Sequence, residues 1–140
     1  YDFVVLLEPT SPLRDAGDIE RMIEKVVENK GDIDSVVSIG EVHEHPSIMK
    51  KIVENKFLDN YCKDLEMKYR RQDSDSAYFP YGVAYIVNTD SFLNEKTFYT
   101  QKCGFYEIKR YQCYEIDDIY DFLAIESILN YKKHEQYYTL

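Results

Sequence analysis

The sequence predicts an α/β fold with a mostly parallel sheet, because apolar strand-like segments alternate with a segment of helical periodicity. Residues 3–7 form a nearly continuous apolar run, which is typical of a strand buried in the middle of a parallel sheet. Residues 16–30 have the periodicity of an amphipathic helix, and residues 35–42 are again β-branched and apolar. A strand, a helix and a strand in this order predict a right-handed crossover and therefore a parallel pair.

The composition indicates one globular domain, residues 1–140, and excludes some partners. Hydrophobic residues make up 44% and charged residues 31% of the chain, as in ordinary globular proteins. A net charge of −9 argues against a nucleic-acid surface, which is normally basic. No apolar run approaches the ~20 residues that span a bilayer, so we expect no membrane partner. Three cysteines without metal-ligand spacing favour reduced thiols and a cytoplasmic location.

The loop after the first strand carries the first candidate site residues. Two prolines in residues 8–14 fix φ and exclude regular structure, so a rigid loop is predicted there. Thr10 and Ser11 offer hydroxyl groups, and Arg14 offers a guanidinium, at the carboxyl end of a strand, where ligands bind in open α/β sheets. The alternative is a stiff connector in which Arg14 makes a structural contact. Asp15 is the expected N-cap of the following helix, and Gly31 is expected to end it.

A hairpin and a polar segment follow the second strand. His43 and His45 stand two residues apart, but no third ligand accompanies them, so a polar strand end is favoured over a metal site. Residues 49–58 predict a hairpin that turns at 54–56, with Lys50 and Lys51 able to reach an anion. The polar stretch 59–76 contains paired arginines. A third core strand is predicted at 83–87, preceded by Gly82, which would let the backbone approach a ligand.

The acidic stretch 113–122 carries the main chemical hypothesis. Its pattern predicts a strand end that runs directly into a helix, with Glu115 and Asp117 on one strand face and Asp118 as the helix N-cap. Two carboxylates on one face repel each other unless a cation lies between them. Hard oxygen ligands suit Mg²⁺, which binds through one or two carboxylates and substrate phosphates. The alternative is that these acids only cap and solvate the helix.

Several segments, taken in order, resemble the acylneuraminate cytidylyltransferase family, the CMP-sialic acid synthetases. They are residues 9–14, 34–38, 42–46, 70–73, 82–86 and 115–117. The resemblance covers residue 3 to about residue 130. It implies a Rossmann-like three-layer α/β sandwich and a homodimer formed through a hairpin insertion at about residues 47–76. It also implies an enzyme that joins CTP to a nine-carbon keto sugar acid and releases pyrophosphate.

The resemblance also assigns roles to individual residues. Glu115 and Asp117 match the family's two metal-binding aspartates, and Arg71 and Gln72 match an Arg-Gln motif near the sugar carboxylate. A lysine of the sugar pocket falls near Lys50 or Lys51. The residues that match the loop and strand flanking the substrate are Glu8, Thr10, Ser11, Arg14, Tyr81 and Gly82.

This sequence departs from the family pattern in ways that affect the expected substrate. Glu8 stands where the family usually has Gln, Tyr81 where it has Asn, and Glu115 where it has Asp. The charge of Glu8 would repel an anionic sugar acid, which counts against sialic acid itself. The variant stretch 114–118 resembles a divergent branch of the family, for which legionaminic or pseudaminic-type sugars, or a sugar 1-phosphate with another nucleotide, are the expected substrates. The family's leading strand and nucleotide-binding loop have no counterpart here, so we expect that a leading portion is missing. A non-catalytic sugar-binding or dimerisation module is the remaining alternative.

Overall fold

The computed structural model describes residues 1–63 and 75–138, with only the helix backbone described for 135–138. Their elements, in chain order, are β1 (Phe3–Leu6), α1 (Asp18–Glu28), β2 (Ser35–Glu41), β3 (Lys50–Val53), β4 (Phe57–Asn60), β5 (Tyr78–Asn88), α2 (Thr89–Glu95), β6 (Cys103–Glu107) and α3 (Ile119–Tyr138), with 3₁₀ turns at Pro46–Ile48 and Arg110–Gln112. The chain divides into two compact units, one made of Tyr1–Gly40 with Pro80–Leu140 and the other of Glu41–Phe79. The predicted α/β class is therefore confirmed.

The sheet of the first unit is mixed, so the prediction of a mostly parallel sheet is wrong. Its described strands follow the order β1-β5-β2-β6. β1 pairs antiparallel with β5, and β2 pairs parallel with β6. β5 and β2 also run in opposite directions, because Asn88 bonds to Asp34 while Ala84 bonds to Ser38. The predicted parallel pair of β1 and β2 is absent from this sheet because β5 lies between them.

β5 takes the central position that the sequence suggested for β1. Residues Val83 to Val87 of β5 are all buried, because this strand has core on both faces. Ala84 and Ile86 pack with α1 and β2 on one face, and Val83 packs with Ile108 on the other. β1 instead lies at an edge of the described sheet. Its apolar character does not keep it buried, since Val5 and Leu6 are about two-fifths exposed.

Helix α1 is held to the sheet by its apolar face. Met22 and Val26 are buried against Val36, Ala84 and Ile86, at the i, i+4 spacing that places two side chains on one face. The helix begins later than the sequence predicted. Its N-cap is Gly17, with φ of 86°, rather than Asp15, and its C-cap is Asn29 rather than Gly31. The Asp15 side chain points to other partners, described below, and is therefore not available to cap α1.

The second unit contains the predicted hairpin. β3 and β4 pair antiparallel, with Ile52 opposite Leu58, and the turn lies at residues 54–56. Glu54 and Asn55 both have positive φ, as a tight hairpin turn with the right-handed strand twist requires. The hairpin prediction is therefore confirmed. His45 accepts the Ser47 amide at the start of the 3₁₀ turn, which agrees with a polar strand end.

Among the described residues, no helix has both the length and the apolar character that crossing a bilayer requires.

Candidate active site

The Glu115 carboxylate lies inside the first unit, where it binds two groups that are distant in sequence. Its Oε1 accepts a hydrogen bond from Ser11 Oγ at 2.8 Å and another from the Gly82 amide at 2.6 Å. Ser11 is completely buried. Hydrogen bonds that favour a charged carboxylate are about twice as strong as neutral ones. The loop after β1 and the strand β5 therefore fix the position of this carboxylate together.

Residues 113–118, which we call the acidic segment, do not form the predicted strand. No sheet ladder includes them, and they connect the 3₁₀ turn at Arg110–Gln112 to α3 without regular secondary structure. One backbone hydrogen bond, from the Ile116 amide to the Thr10 carbonyl at 2.8 Å, joins the segment to the loop after β1. The strand rule that placed Glu115 and Asp117 on one face therefore does not apply. Glu115 is half-buried, whereas Asp117 is exposed.

The acids that follow Glu115 begin helix α3. Asp118 Oδ1 accepts from the Tyr120 amide at 2.7 Å and from the Asp121 amide at 3.2 Å, and Asp121 Oδ2 accepts from the amides of Asp117 and Asp118. The predicted N-cap role of Asp118 is confirmed. Asp118 thus satisfies two helix amides that would otherwise lack partners, and Asp121 satisfies the two amides just before the helix. Glu115 and Asp117 remain as the two carboxylates whose oxygens do not cap the helix.

Gly82 lies directly beneath the Glu8 side chain. A β-carbon at position 82 would approach Glu8 Oε2 to 2.1 Å and Glu8 Cβ to 2.8 Å. These distances are far below a van der Waals contact, so a residue with a side chain does not fit without movement of Glu8. The sequence predicted that Gly82 lets the backbone approach a ligand. In this structure the group packed against Gly82 is the Glu8 side chain, and Glu8 and Glu115 both contact this stretch of β5.

Arg14 binds the backbone at the same place. Its Nε donates to the Val83 carbonyl at 2.6 Å, and its Nη2 donates to the carbonyls of Glu8 and Gly82. A guanidinium that satisfies three carbonyls ties the loop after β1 to the start of the buried part of β5. This geometry corresponds to the structural alternative for Arg14, since its donors are directed at the protein backbone.

Two tyrosines that the sequence analysis did not single out lie near these carboxylates. Burial raises the pKa of Tyr85, and the negative charges of Glu8 and Glu115 raise it further. The pKa of Tyr99 is raised for the same reasons, against a hydrogen bond with Tyr85 that lowers it. Their rings are 6.2 Å apart in an edge-to-face arrangement. The sequence could have marked Tyr85 as a candidate residue, because it is a hydroxyl-bearing side chain in an otherwise apolar part of β5.

The remaining predicted residues are distributed over both units. Tyr81 packs in the first unit against the cluster that contains Val83 and Ile108. Lys50 and Lys51 belong to the second unit, where Lys50 Nζ bonds to Asn60 and Lys51 Nζ lies 3.9 Å from Asp59. The predicted sugar-carboxylate residues Arg71 and Gln72 lie outside the described residues.

The donors at Glu115 and Asp117 fit a hard divalent cation. Both hydrogen bonds to Glu115 fall on Oε1, which leaves Oε2 as an oxygen donor, and the exposed Asp117 carboxylate is a second one. Within residues 1–63 and 75–138, no group of three or more acidic, His or Cys side chains could enclose a metal by itself. Mg²⁺ commonly binds in this manner, with one or two carboxylates and with water and phosphate oxygens completing its shell.

The fold and the site describe an α/β domain in which a half-buried carboxylate, Glu115, lies two residues before an exposed one, Asp117. No family model matches the chain. Known proteins do resemble it. The N-acylneuraminate cytidylyltransferase of Streptococcus agalactiae serotype V is 33% identical over 124 residues, which cover 86% of this chain, and that of serotype III is 32% identical over the same length. The N-acylneuraminate cytidylyltransferase of Escherichia coli O18:K1:H7 is 28% identical over 137 residues, or 97% of this chain.

These comparisons confirm the resemblance that the ordered segments predicted, over most of this chain. The aligned region spans only 29% of the length of the streptococcal proteins and 32% of the Escherichia coli protein. The named relatives are nucleotidyltransferases, and the similarity is to one portion of each.

Proposed function

We propose that the protein is a cytidylyltransferase that activates a nonulosonic, sialic-type sugar acid with CTP and releases pyrophosphate. The observation that carries the proposal is the Glu115 carboxylate, held by Ser11 and Gly82 in a chain that is 33% identical to an N-acylneuraminate cytidylyltransferase. A carboxylate fixed by two donors is pre-organised, which is what a catalytic metal ligand requires.

In the proposed reaction, the anomeric hydroxyl of the sugar attacks the α-phosphorus of CTP. A bond forms between that oxygen and the phosphorus as the hydroxyl loses its proton to water, the bond from phosphorus to the bridging oxygen breaks, and pyrophosphate leaves with its electron pair. Glu115 and Asp117 would hold Mg²⁺, which supplies positive charge beside the phosphates when bound. Ser11 and the Gly82 amide keep Glu115 in place, and Arg14 keeps the loop that carries Ser11 against β5.

Residues matched through the resemblance complete the proposed substrate contacts. Arg71, with Lys50 or Lys51, would bind the sugar carboxylate, and Gln72 would lie near it. Glu8 and Thr10 would flank the substrate. The Glu8 carboxylate close to Gly82 places negative charge in this region, which disfavours an acid group there. The second candidate is a sugar 1-phosphate nucleotidyltransferase, which would share the sheet and the acidic pair but use a phosphate acceptor.

We also propose that the hairpin of the second unit forms a homodimer contact. Ile52 and Leu58 face each other across β3 and β4 and are 72% and 73% exposed. Isolated two-stranded hairpins are marginally stable in water and gain stability by packing an apolar face. A symmetric partner offers the same apolar surface in return.

The test is pyrophosphate release by the whole gene product with a panel of nucleotides and acceptors in Mg²⁺. We expect turnover with CTP and a nonulosonic acid, and a loss of about 10²-fold in Glu115→Gln, the magnitude typical of a removed electrostatic group at a reacting centre. Asp90→Asn, an exposed acid at the start of α2, is the matched control and should retain activity. Turnover only with a sugar 1-phosphate would establish the second candidate. Nucleotide-independent sugar binding without turnover would indicate a non-catalytic module.

A further inference from the structure

Asp15, in the loop before α1, and Asp18, the first residue of α1, bind the chain on both sides of the acidic segment. Asp18 Oδ2 accepts from Gln112 Nε2 at 2.7 Å, three residues before Glu115. Asp15 Oδ1 accepts from Lys132 Nζ at 3.0 Å, on helix α3 after the segment. Because the segment itself has no sheet ladder, its position depends on individual contacts, which include these at its ends as well as those of Glu115 and Ile116.

Asp18 is the more deeply buried of the two carboxylates. It is only 2% exposed, and Gln112 is 1% exposed. Besides Gln112, Asp18 accepts from the Asp15 amide at 2.8 Å, from Arg21 at 3.0 Å and from the Tyr106 hydroxyl at 3.1 Å. A buried carboxylate with four donors is rigidly oriented, since loss of any donor leaves charge unsatisfied in a low-dielectric interior.

The Asp15 carboxylate binds residues on both sides of the acidic segment. Besides Lys132, it accepts from Lys109 Nζ at 2.8 Å and from the Tyr111 hydroxyl, which lie at the 3₁₀ turn before the segment. The Lys132 ammonium also lies 3.7 Å from the centre of the Tyr111 ring, a favourable cation–π distance. The 3₁₀ turn and helix α3 are therefore connected through Asp15.

We infer that Asp15 and Asp18 are positioning residues that hold the Glu115 carboxylate in its metal-binding place. The inference rests on the proposed function for its consequence in metal binding. The contacts that carry it are the buried Asp18–Gln112 bond and the shared Asp15 contacts to Lys109, Tyr111 and Lys132. The short path from Gln112 to Glu115 transmits any shift of the 3₁₀ turn to the Ser11 and Gly82 hydrogen bonds.

The test uses Asp18→Asn and the milder Asp15→Asn in the whole gene product. The first measurement is hydrogen exchange at the Gly82 and Ile116 amides, which bond to Glu115 and Thr10. We expect exchange at these two amides to be faster by about tenfold, while the amides of β2 are little changed, as in local rather than global opening. Ser35→Ala is the control, because Ser35 makes an equally buried hydroxyl contact to Thr100 that involves neither end of the segment.

The second measurement is the affinity of the same proteins for Mn²⁺ alone, by calorimetry. We expect both Asp variants to lose about 10-fold or more in affinity, the range typical when a group that supports a metal ligand is removed, and Ser35→Ala to retain it. Unchanged exchange at Gly82 and Ile116, or an equal change in Ser35→Ala, would overturn the positioning role. Faster exchange in a protein that neither binds Mn²⁺ nor turns over CTP would support the positioning of Glu115 and reject the proposed function.

Discussion

Ser11 Oγ lies 2.8 Å from Glu115 Oε1, although the two residues are 104 positions apart in the sequence. The hydroxyl belongs to the loop after β1, and the carboxylate belongs to the segment before α3. Ser11 is completely buried and Glu115 is half-buried, so this contact is partly shielded from water and orients the carboxylate. The proposed metal ligand is thus prepared by the fold before any substrate arrives.

Replacement of Ser11 by Ala tests this contact. The variant removes one of the two donors to Glu115 Oε1, so we expect the free energy of unfolding to fall by about 1–3 kcal/mol, as for a buried acceptor that loses its partner. Urea unfolding measures the change. Ser127→Ala, which removes an exposed hydroxyl bonded only to its own helix, should change the midpoint little. Equal effects of the two substitutions would contradict a special role for Ser11.

Replacement of Gly82 by Ala tests the close packing with Glu8. The new β-carbon would lie 2.1 Å from Glu8 Oε2, so we expect a loss of about 1–3 kcal/mol in stability, as for overpacking of a filled site. Adding Glu8→Ala should restore part of this loss. The rescue is expected to be partial because Glu8 Cβ itself lies 2.8 Å from that position. Strictly additive effects in this double-mutant cycle would show that the two residues do not interact.

Asp15 should make stability depend on acid pH. Burial opposes the charged form of this carboxyl, but hydrogen bonds from Lys109, Tyr111 and Lys132 outweigh burial and hold its pKa well below the ordinary 3.8. The contribution of Asp15 is therefore present above pH 3.8 and is lost as the pH falls through the lower folded-state pKa. Urea midpoints of wild type and Asp15→Asn should differ most near pH 6 and converge toward pH 2. A constant difference over that range would contradict the assignment.

The core position Met22 should dominate the stability of α1. Met22 is completely buried, so Met22→Ala is expected to cost about 2–5 kcal/mol through lost burial and the cavity left behind. Val27→Ala on the same helix is the control. Val27 is 52% exposed, and exposed substitutions usually change stability by about 0.5 kcal/mol or less. Thermal or urea unfolding that shows comparable losses would disprove the packing of α1 against the sheet.

The proposed dimer contact predicts a change in association. Ile52→Lys places a charge on the exposed apolar face of the hairpin, so we expect the dimer dissociation constant to rise by at least about tenfold, equivalent to ~1.4 kcal/mol. Sedimentation equilibrium of the whole gene product measures it. Val27→Lys introduces the same charge at an exposed apolar position of α1 and should leave association unchanged. A wild-type protein that stays monomeric at all concentrations would exclude the proposed dimer.

Local patterns in the sequence predicted local structure well. The helix that became α1, the strand β2 and the turn of the hairpin follow from periodicity and from turn residues at Glu54 and Asn55. The sheet order was not predictable in this way, because β1 and β5 are both apolar and the sequence does not show which is central. β5 is eleven residues long and has core on both faces. It therefore buries more surface than β1, which has four residues.

The sequence indicated which residues belong to the candidate site better than it indicated how they are arranged. Glu115 and Asp117 were identified from their spacing, and Ser11 from its loop, but the alternation of residues 113–117 suggested a strand that does not form. Alternation permits a strand, and a ladder also needs a partner with free backbone groups. The Ile116 amide bonds to the Thr10 carbonyl, and no ladder among the described residues extends from this bond. The support from Asp15 and Asp18 depends on contacts nearly a hundred residues away, which no local pattern records.

The same long-range contacts bear on how the protein folds. Asp15 and Lys132 are 117 residues apart, and Asp18 and Gln112 are 94 apart. Closing loops of this length costs entropy before the contact returns any energy, so structures rich in such contacts fold slowly. During synthesis the carboxylates emerge well before their partners. Asp18 can meet Tyr106 and Gln112 only once that part of the chain has emerged, and Asp15 can meet Lys132 only once α3 has left the ribosome.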